Sequence, residues 1–257
     1  MTLASASAAG LVLMEGTVWS VVLGGVFGVL TGLAVPALIA RVPEPVSEPE
    51  ATAEQDLEPD RSTPIKPTYV DISRRPALGA ASSAAAGLCG ALIGWRLDLG
   101  WELTAWLLFL PLGIALAIID AKTKLLPSYL IKPAYVVLVP VIYLPLVVAQ
   151  DWETVKRTTL AWLVYGGIFF LMWFIYPRGL GYGDVRLAGL LALLLGLVGW
   201  AELIVSFYAT FLLGPILMLV LNGFSIRGRQ LPFGPFMLLG ALIGLTFGRW
   251  VLSTWLV

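Results

Sequence analysis

Long apolar stretches separated by short polar segments make up most of the chain. A helix needs about 20 mostly apolar residues to cross the roughly 30 Å hydrocarbon layer of a bilayer. The pattern therefore predicts an all-α fold, a polytopic membrane helix bundle of about eight transmembrane helices. The third and sixth stretches are short for a full span and are expected to continue into the residues beside them. The predicted spans are Val18–Ala40, Ala77–Trp95, Thr104–Ile119, Ile131–Val148, Thr158–Tyr176, Val185–Trp200, Leu203–Leu221 and Phe233–Leu256.

One polar segment, Arg41–Pro76, interrupts this pattern. It is rich in proline and holds eight acids and five bases. Such a composition cannot bury an apolar core, so the segment is expected to be a disordered or loosely ordered loop. The chain then divides into an N-terminal transmembrane segment, residues 1–40, the polar loop, residues 41–76, and a transmembrane domain, residues 77–257.

The composition excludes several classes of site. The chain is 59% hydrophobic and only 12% charged, about half the charge of an average soluble domain. It has no histidine, which rules out Ser-His and Cys-His catalysis and the common zinc sites. The single cysteine, Cys89, cannot form an internal disulfide or a CxxC metal site. The net charge is zero, and no nucleic-acid partner is expected.

The distribution of lysine and arginine predicts the topology. Twelve of the sixteen basic residues follow the first, third, fifth and seventh spans, and only Arg96, Lys156 and Arg157 lie in the loops on the other side. Cytoplasmic loops of membrane proteins carry an excess of Lys and Arg. The odd-to-even loops are therefore expected to be cytoplasmic, with both termini outside.

Two acids fall at this predicted cytoplasmic face. Asp120 ends the third span and Asp184 begins the sixth, whereas the other acids lie in the polar loop, before the first span or in outside loops. A carboxylate beside hydrocarbon is costly and is by default a functional candidate. A structural role as a helix cap would suit Asp184 at a helix N-terminus, but not Asp120 at a C-terminus, where an acid opposes the helix dipole. The pair is therefore interpreted as functional.

Both acids lie in distinctive local motifs. Asp120 is followed by Leu125-Leu126-Pro127, and Asp184 closes the segment Gly179-Leu180-Gly181-Tyr182-Gly183-Asp184. Alternating glycines let a backbone approach another chain closely, although a flexible loop before a helix would explain them alone. A phosphate-binding loop is excluded because the Gly-Lys-Ser/Thr ending is missing.

These motifs resemble the prepilin leader peptidases, a family of aspartyl membrane proteases. The resemblance covers most of the chain and includes the late element Leu231–Phe236, which carries Pro-Phe-Gly-Pro. It implies that Asp120 and Asp184 are the catalytic pair. It also implies that Gly181, Gly183, Pro232, Gly234 and Pro235 help to position an extended substrate.

The resemblance further implies the substrate and location. Family members remove a short basic leader from pilin-like precursors at the cytoplasmic face of the bacterial plasma membrane, just before an apolar helix. The expected partners are prepilins or secretion pseudopilins and membrane lipid.

Two departures from the family pattern concern the cofactors and two side chains. Bifunctional members often carry two CxxC pairs in the first cytoplasmic loop, and this chain has none. No metal or other cofactor is therefore expected, and methylation of the product with S-adenosylmethionine stays open. Ser128 and Arg186 stand where members often have Asp and Lys.

A shared-proton mechanism follows from two neighbouring carboxyls, which do not ionise together readily. One would take a proton from water and the other would protonate the developing oxyanion. The helix dipoles favour Asp184 as the base and Asp120 as the acid. The alternatives are a carboxylate-dependent proton-coupled transporter, a presenilin-like protease and an inactive scaffold of a secretion machine. Transport sites usually lie near the membrane midplane, the Leu-Leu-Pro after Asp120 disfavours the presenilin type, and the intact pair disfavours a scaffold.

Overall fold

The chain folds entirely into helices over the residues that the computed structural model describes, which are 3–44, 67–177, 179–222 and 232–255. The all-α class is thereby confirmed for these ranges. Most of the predicted polar loop, as well as Leu231 and the basic residues Arg178, Arg227 and Arg229, lie outside them. The helices are α1 (Leu3–Ala40), α2 (Tyr69–Ser73), α3 (Leu78–Arg96), α4 (Trp101–Thr123), α5 (Ser128–Val148), α6 (Trp152–Ile175), α7 (Tyr182–Val198), α8 (Trp200–Asn222) and α9 (Gly234–Trp255).

Six of the described helices are long and apolar enough to cross a membrane. They are Thr17–Ala40 of α1, together with α3, α4, α5, α6 and α9, and Trp200–Gly214 of α8 forms a shorter apolar stretch. The protein is thus a multi-pass membrane protein, but the predicted count of about eight spans is not confirmed. The third predicted span does extend as expected, because α4 runs through Asp120 to Thr123.

The sixth predicted span, α7, lies at the centre of the bundle. It has 17 residues, and almost every side chain from Val185 to Leu197 is buried. It packs against α4, α5, α6, α8 and α9. A helix that is apolar on all sides is one surrounded by other groups, and here those groups are protein. Hydropathy alone could not separate this burial from exposure to lipid.

Helices α1 and α3 pack so closely that their backbones nearly touch. A Cβ added to Gly28 would lie 2.1 Å from the carbonyl oxygen of Ala86, so only glycine fits there. The hydroxyl of Ser82 donates to the carbonyl of Gly32 at 2.8 Å, and that of Ser20 donates to Gly94 at 2.6 Å. Small residues and interhelical hydroxyl bonds are the usual means of helix association in lipid.

The end of the polar loop is ordered by a short anchor helix, α2. Tyr69 is buried, and its N–H donates to Glu44 Oε1 at 2.6 Å. Burial, and next the Glu44 carboxylate, raise the pKa of the Tyr69 phenol. Residues 67–76 therefore differ from the loosely ordered loop expected from composition, because two apolar side chains, Tyr69 and Ile72, are buried against the bundle.

Candidate active site

Asp120 lies in the last turn of α4 and is only 4% exposed. Its Oδ2 accepts a hydrogen bond of 2.8 Å from the backbone N–H of Gly234, the first residue of α9. The helix ends at Thr123; the C-cap residue Lys124 has a left-handed backbone (φ 57°), and its N–H donates to the carbonyl of Asp120 at 2.8 Å. Asp120 is thus held between the end of one helix and the start of another.

Asp184 lies in the first turn of α7, where one of its oxygens caps the helix. Oδ2 accepts a hydrogen bond of 3.0 Å from the N–H of Gly181, the N-cap residue. Oδ1 is buried and has no hydrogen-bond partner among the described residues. Capping therefore explains one carboxylate oxygen but leaves the other buried without a bond, which a purely structural acid would avoid.

The structure brings the two acids together at one end of the bundle. Their carboxylates are close enough to repel each other. Leu126, from the Leu-Leu-Pro motif, lies between the glycine next to Asp184 and the glycine that binds Asp120. A Cβ on Gly183 would lie 2.7 Å from Leu126 Cβ, and one on Gly234 would lie 3.3 Å from Leu126 Cδ2. The connection from α4 to α5 thus contacts the first turns of both α7 and α9.

The five residues predicted to position a substrate all lie beside this pair. Gly181 and Gly234 each donate a backbone N–H to one carboxylate, and Gly183 allows the close contact with Leu126. Pro232 and Pro235 are half-buried on either side of the start of α9. The geometry gives the glycines a role in holding the acids, and their contact with substrate stays a prediction.

The tertiary structure removes the basis for assigning Asp184 as the base and Asp120 as the acid from helix dipoles. The sequence places Asp120 at the C-terminus of its own helix, but its carboxylate binds the N-terminus of α9. Both carboxylates therefore accept a hydrogen bond at a helix N-terminus, where the dipole favours negative charge. The dipoles do not distinguish which of the two holds the proton.

Sequence reasoning missed a polar cluster that supports the first turns of α7. The hydroxyl of Tyr135 donates to the carbonyl of Arg186 at 2.8 Å. The Arg186 guanidinium donates to Ser128 Oγ and lies 4.4 Å from the centre of the Tyr182 ring. The two departures from the family pattern, Ser128 and Arg186, are thus hydrogen-bonded to each other, and reading them as a pair could have located the cluster.

Among the residues that the structure describes, no three histidine, cysteine, aspartate or glutamate side chains gather as a metal site requires.

The sequence model described as the type IV leader peptidase family matches residues 106–248, more than half of the chain and both acids. The chain belongs to the type IV leader peptidase family. Type IV leader peptidases are aspartyl membrane peptidases, so the resemblance noted from the motifs is confirmed.

Curated relatives of this type IV leader peptidase are distant. A "Prepilin leader peptidase/N-methyltransferase" of Pseudomonas aeruginosa is 28% identical over 176 residues, covering 67% of this chain and 59% of that protein. The protein of the same name from Aeromonas salmonicida is 29% identical over 178 residues, covering 65% of this chain and 58% of its own length. The matched region thus spans just under three fifths of these relatives. No solved structure gives a significant match.

Proposed function

We propose that this chain is a prepilin leader peptidase, an aspartic endopeptidase that removes the short basic leader of type IV prepilins or secretion pseudopilins. One observation carries the proposal. The buried Asp120 and the half-buried Asp184 lie close together at one end of the bundle, and each accepts a hydrogen bond from a backbone N–H rather than from a base. Two acids held in this way share a proton and can act as acid and base together.

In the proposed reaction the pair activates a water molecule between the two side chains. The ionised carboxylate accepts a proton from the water, whose oxygen attacks the scissile carbonyl. The protonated carboxyl donates to the developing oxyanion and the proton then passes to the leaving amine. Oδ1 of Asp184, which is buried without a bond, is the oxygen free to bind the water. Gly181, Gly183 and Gly234 hold the pair, and we propose that the adjoining backbone of Pro232 and Pro235 seats the extended substrate.

The proposed orientation places this end of the bundle at the cytoplasmic face of a bacterial plasma membrane. The support is the lysine and arginine excess, twelve against three, in the loops at this end. We propose that α7 and α8 also cross the bilayer within the bundle, which gives eight spans. A basic leader would then reach the pair from the cytoplasm while the apolar segment after it stays in the membrane.

Neutralising either acid tests the proposal. We expect Asp120→Asn and Asp184→Asn each to lower cleavage of a co-expressed prepilin by about 10²–10⁴-fold, the usual contribution of acid–base groups. The readout is leader loss by gel shift and mass spectrometry, and the product mass also shows whether a methyl group is added. Asp98→Asn, an exposed acid at the opposite end, is the matched control. Full cleavage by both mutants would exclude an aspartyl protease, and proton-coupled uptake into proteoliposomes would then support the transporter.

The dependence of the rate on pH tests the shared proton. A pair that must hold one proton loses activity both when the second proton binds and when the last one leaves. We expect kcat/KM to fall at low and at high pH, measured with purified protein in detergent micelles. A profile without either limb would contradict the shared-proton mechanism, even if both acids are needed.

A further inference from the structure

An apolar cavity lies in the bundle near Asp120, and its lining includes Ala117 and Pro235. We call it the apolar slot; it has a volume of about 240 Å³ and lies between α3, α4 and α9. Its lining includes Cys89 of α3, Trp106 and Ala117 of α4, and Pro235 and Leu239 of α9. The volume is below the roughly 300–1,000 Å³ of pockets for drug-sized ligands, so side chains fit it better than a compact ligand.

One end of the slot is lined by residues next to the candidate active site. Pro235 directly follows Gly234, whose N–H binds Asp120. Ala117 lies about one turn before Asp120 on α4, and Trp106 lies about three turns further away from the acids. The slot therefore runs along α4 from the acids towards the other end of the bundle.

One polar group in the slot wall lacks a partner. Trp106 is only 3% exposed, and its indole N–H has no acceptor among the described residues. Leaving a buried donor without a bond costs free energy, so such groups usually bind a molecule that supplies an acceptor. Because Trp106 lines the slot, an occupant that is mostly apolar but carries an oxygen would supply the missing acceptor.

We infer that the apolar slot receives side chains from the apolar helix of the substrate, the segment that follows the scissile bond. The inference rests on the proposed function. A substrate cleaved beside Asp120 must continue into the membrane from that point, and the slot begins there. The substrate helix lies across the open side, beside the half-exposed Leu239, and inserts side chains from one face, as helices do in grooves. An oxygen of this helix accepts the Trp106 N–H.

A second groove begins near Asp184 and is the alternative docking site. It has a volume of about 310 Å³, lies between α5, α6 and α7, and is lined by Arg186 and Gly167. Its two buried or half-buried polar groups already have partners, because Tyr135 donates to the carbonyl of Arg186 and the Arg186 guanidinium donates to Ser128 Oγ. None of the buried polar atoms without a partner in the described part of the chain lines this groove, whereas Trp106 lines the slot, so the observations favour the apolar slot.

Disulfide trapping tests the inference, because Cys89 is the single cysteine of the chain. The substrate is the pilin-like precursor that the wild type cleaves in co-expression, with one cysteine placed at successive positions of its apolar segment. The full chain carries Asp184→Asn so that the precursor stays intact, and membranes are treated with copper phenanthroline. We expect cross-links at positions spaced three or four residues apart, and none with Cys89→Ala. Cross-links obtained only from Cys89→Ala/Gly167→Cys would place the substrate helix in the second groove and overturn the inference.

A variant that fills part of the slot provides a second test and leaves Asp120 and Asp184 unchanged. Cys89→Leu adds volume from α3, which carries neither acid. We expect KM for the full precursor to rise about tenfold with little change in kcat, because binding of the substrate helix is weakened before and during reaction. If a lipid chain fills the slot instead, KM stays unchanged and no cross-link forms. That result would refute the docking site but leave the proposed function standing. Absence of cleavage by the wild type would instead refute the proposed function.

Discussion

Buried acids occur at both ends of the bundle, in opposite surroundings. At the end away from the acid pair, Glu202 is 2% exposed and its Oε1 receives the Arg96 guanidinium at 2.7 Å. At the other end, Asp120 is 4% exposed, and neither it nor Asp184 forms an ion pair among the described residues. A buried acid beside its counter-charge is compatible with a stable fold. A buried acid that has lost its counter-charge destabilises the folded state. The absence of a counter-charge at the second end agrees with the proposal that Asp120 and Asp184 serve the reaction rather than stability.

Central helix α7 meets opposite charges at its two ends. Its first turn holds Asp184, and its last carbonyls, those of Gly196 and Leu197, accept bonds of 2.8 and 2.7 Å from Arg157. Acids suit a helix N-terminus and bases suit its C-terminus. Arg157 is satisfied by the backbone, whereas Asp184 keeps one oxygen without a bond. The same dipole argument accounts fully for the basic end and only partly for the acidic end.

The largest effect is expected from breaking the ion pair. Arg96→Leu leaves Glu202 buried without a counter-charge, which typically costs about 3–5 kcal/mol. We expect a clearly lower unfolding temperature in detergent micelles, with cleavage per folded molecule unchanged. Arg96→Leu/Glu202→Leu should recover most of the loss. Asp184→Asn should unfold close to wild type while losing cleavage, and a large loss of stability there would remove the contrast between the two ends.

A smaller effect, confined to activity, is expected at Gly234. The methyl group of Gly234→Ala would lie 2.9 Å from Asp120 Oδ2, too close for the carboxylate to stay in place. Misplacing a catalytic group by about 1 Å can cost up to 10²-fold, and we expect a loss of about tenfold or more in kcat. The control is Gly79→Ala, where the nearest neighbour is 4.0 Å away. Equal activity of both variants would mean that Asp120 need not be held by this N–H.

The smallest effect is expected from the cluster behind α7. Tyr135→Phe removes the hydroxyl that donates to the carbonyl of Arg186. One such bond contributes about 0.5–1.5 kcal/mol, so we expect a modest drop in unfolding temperature and a severalfold drop in cleavage. Val136→Ala, on the exposed side of the same helix, is the comparison. A change no larger than this control's would show that the cluster does not support Asp184.

Several expectations stay predictions. The helical class is confirmed, and six described helices can cross a membrane, but eight spans and the cytoplasmic face rest on hydropathy and charge alone. The division into residues 1–40, 41–76 and 77–257 is also untested, since residues 45–66 lie outside the described ranges. These properties depend on where lipid lies around the bundle, which protein contacts alone do not reveal.

The sequence by itself determined that the chain is an all-helical membrane protein and that Asp120 and Asp184 are its outstanding acids. Hydropathy, helix-end preferences and motifs act within a few residues, so a single sequence carries them. Tertiary structure alone decided that the N–H of Gly234, 114 residues away, binds Asp120. It also decided that Arg96 neutralises Glu202 and that α7 is buried in protein. These contacts join segments far apart in the chain, and they form only when the helices pack.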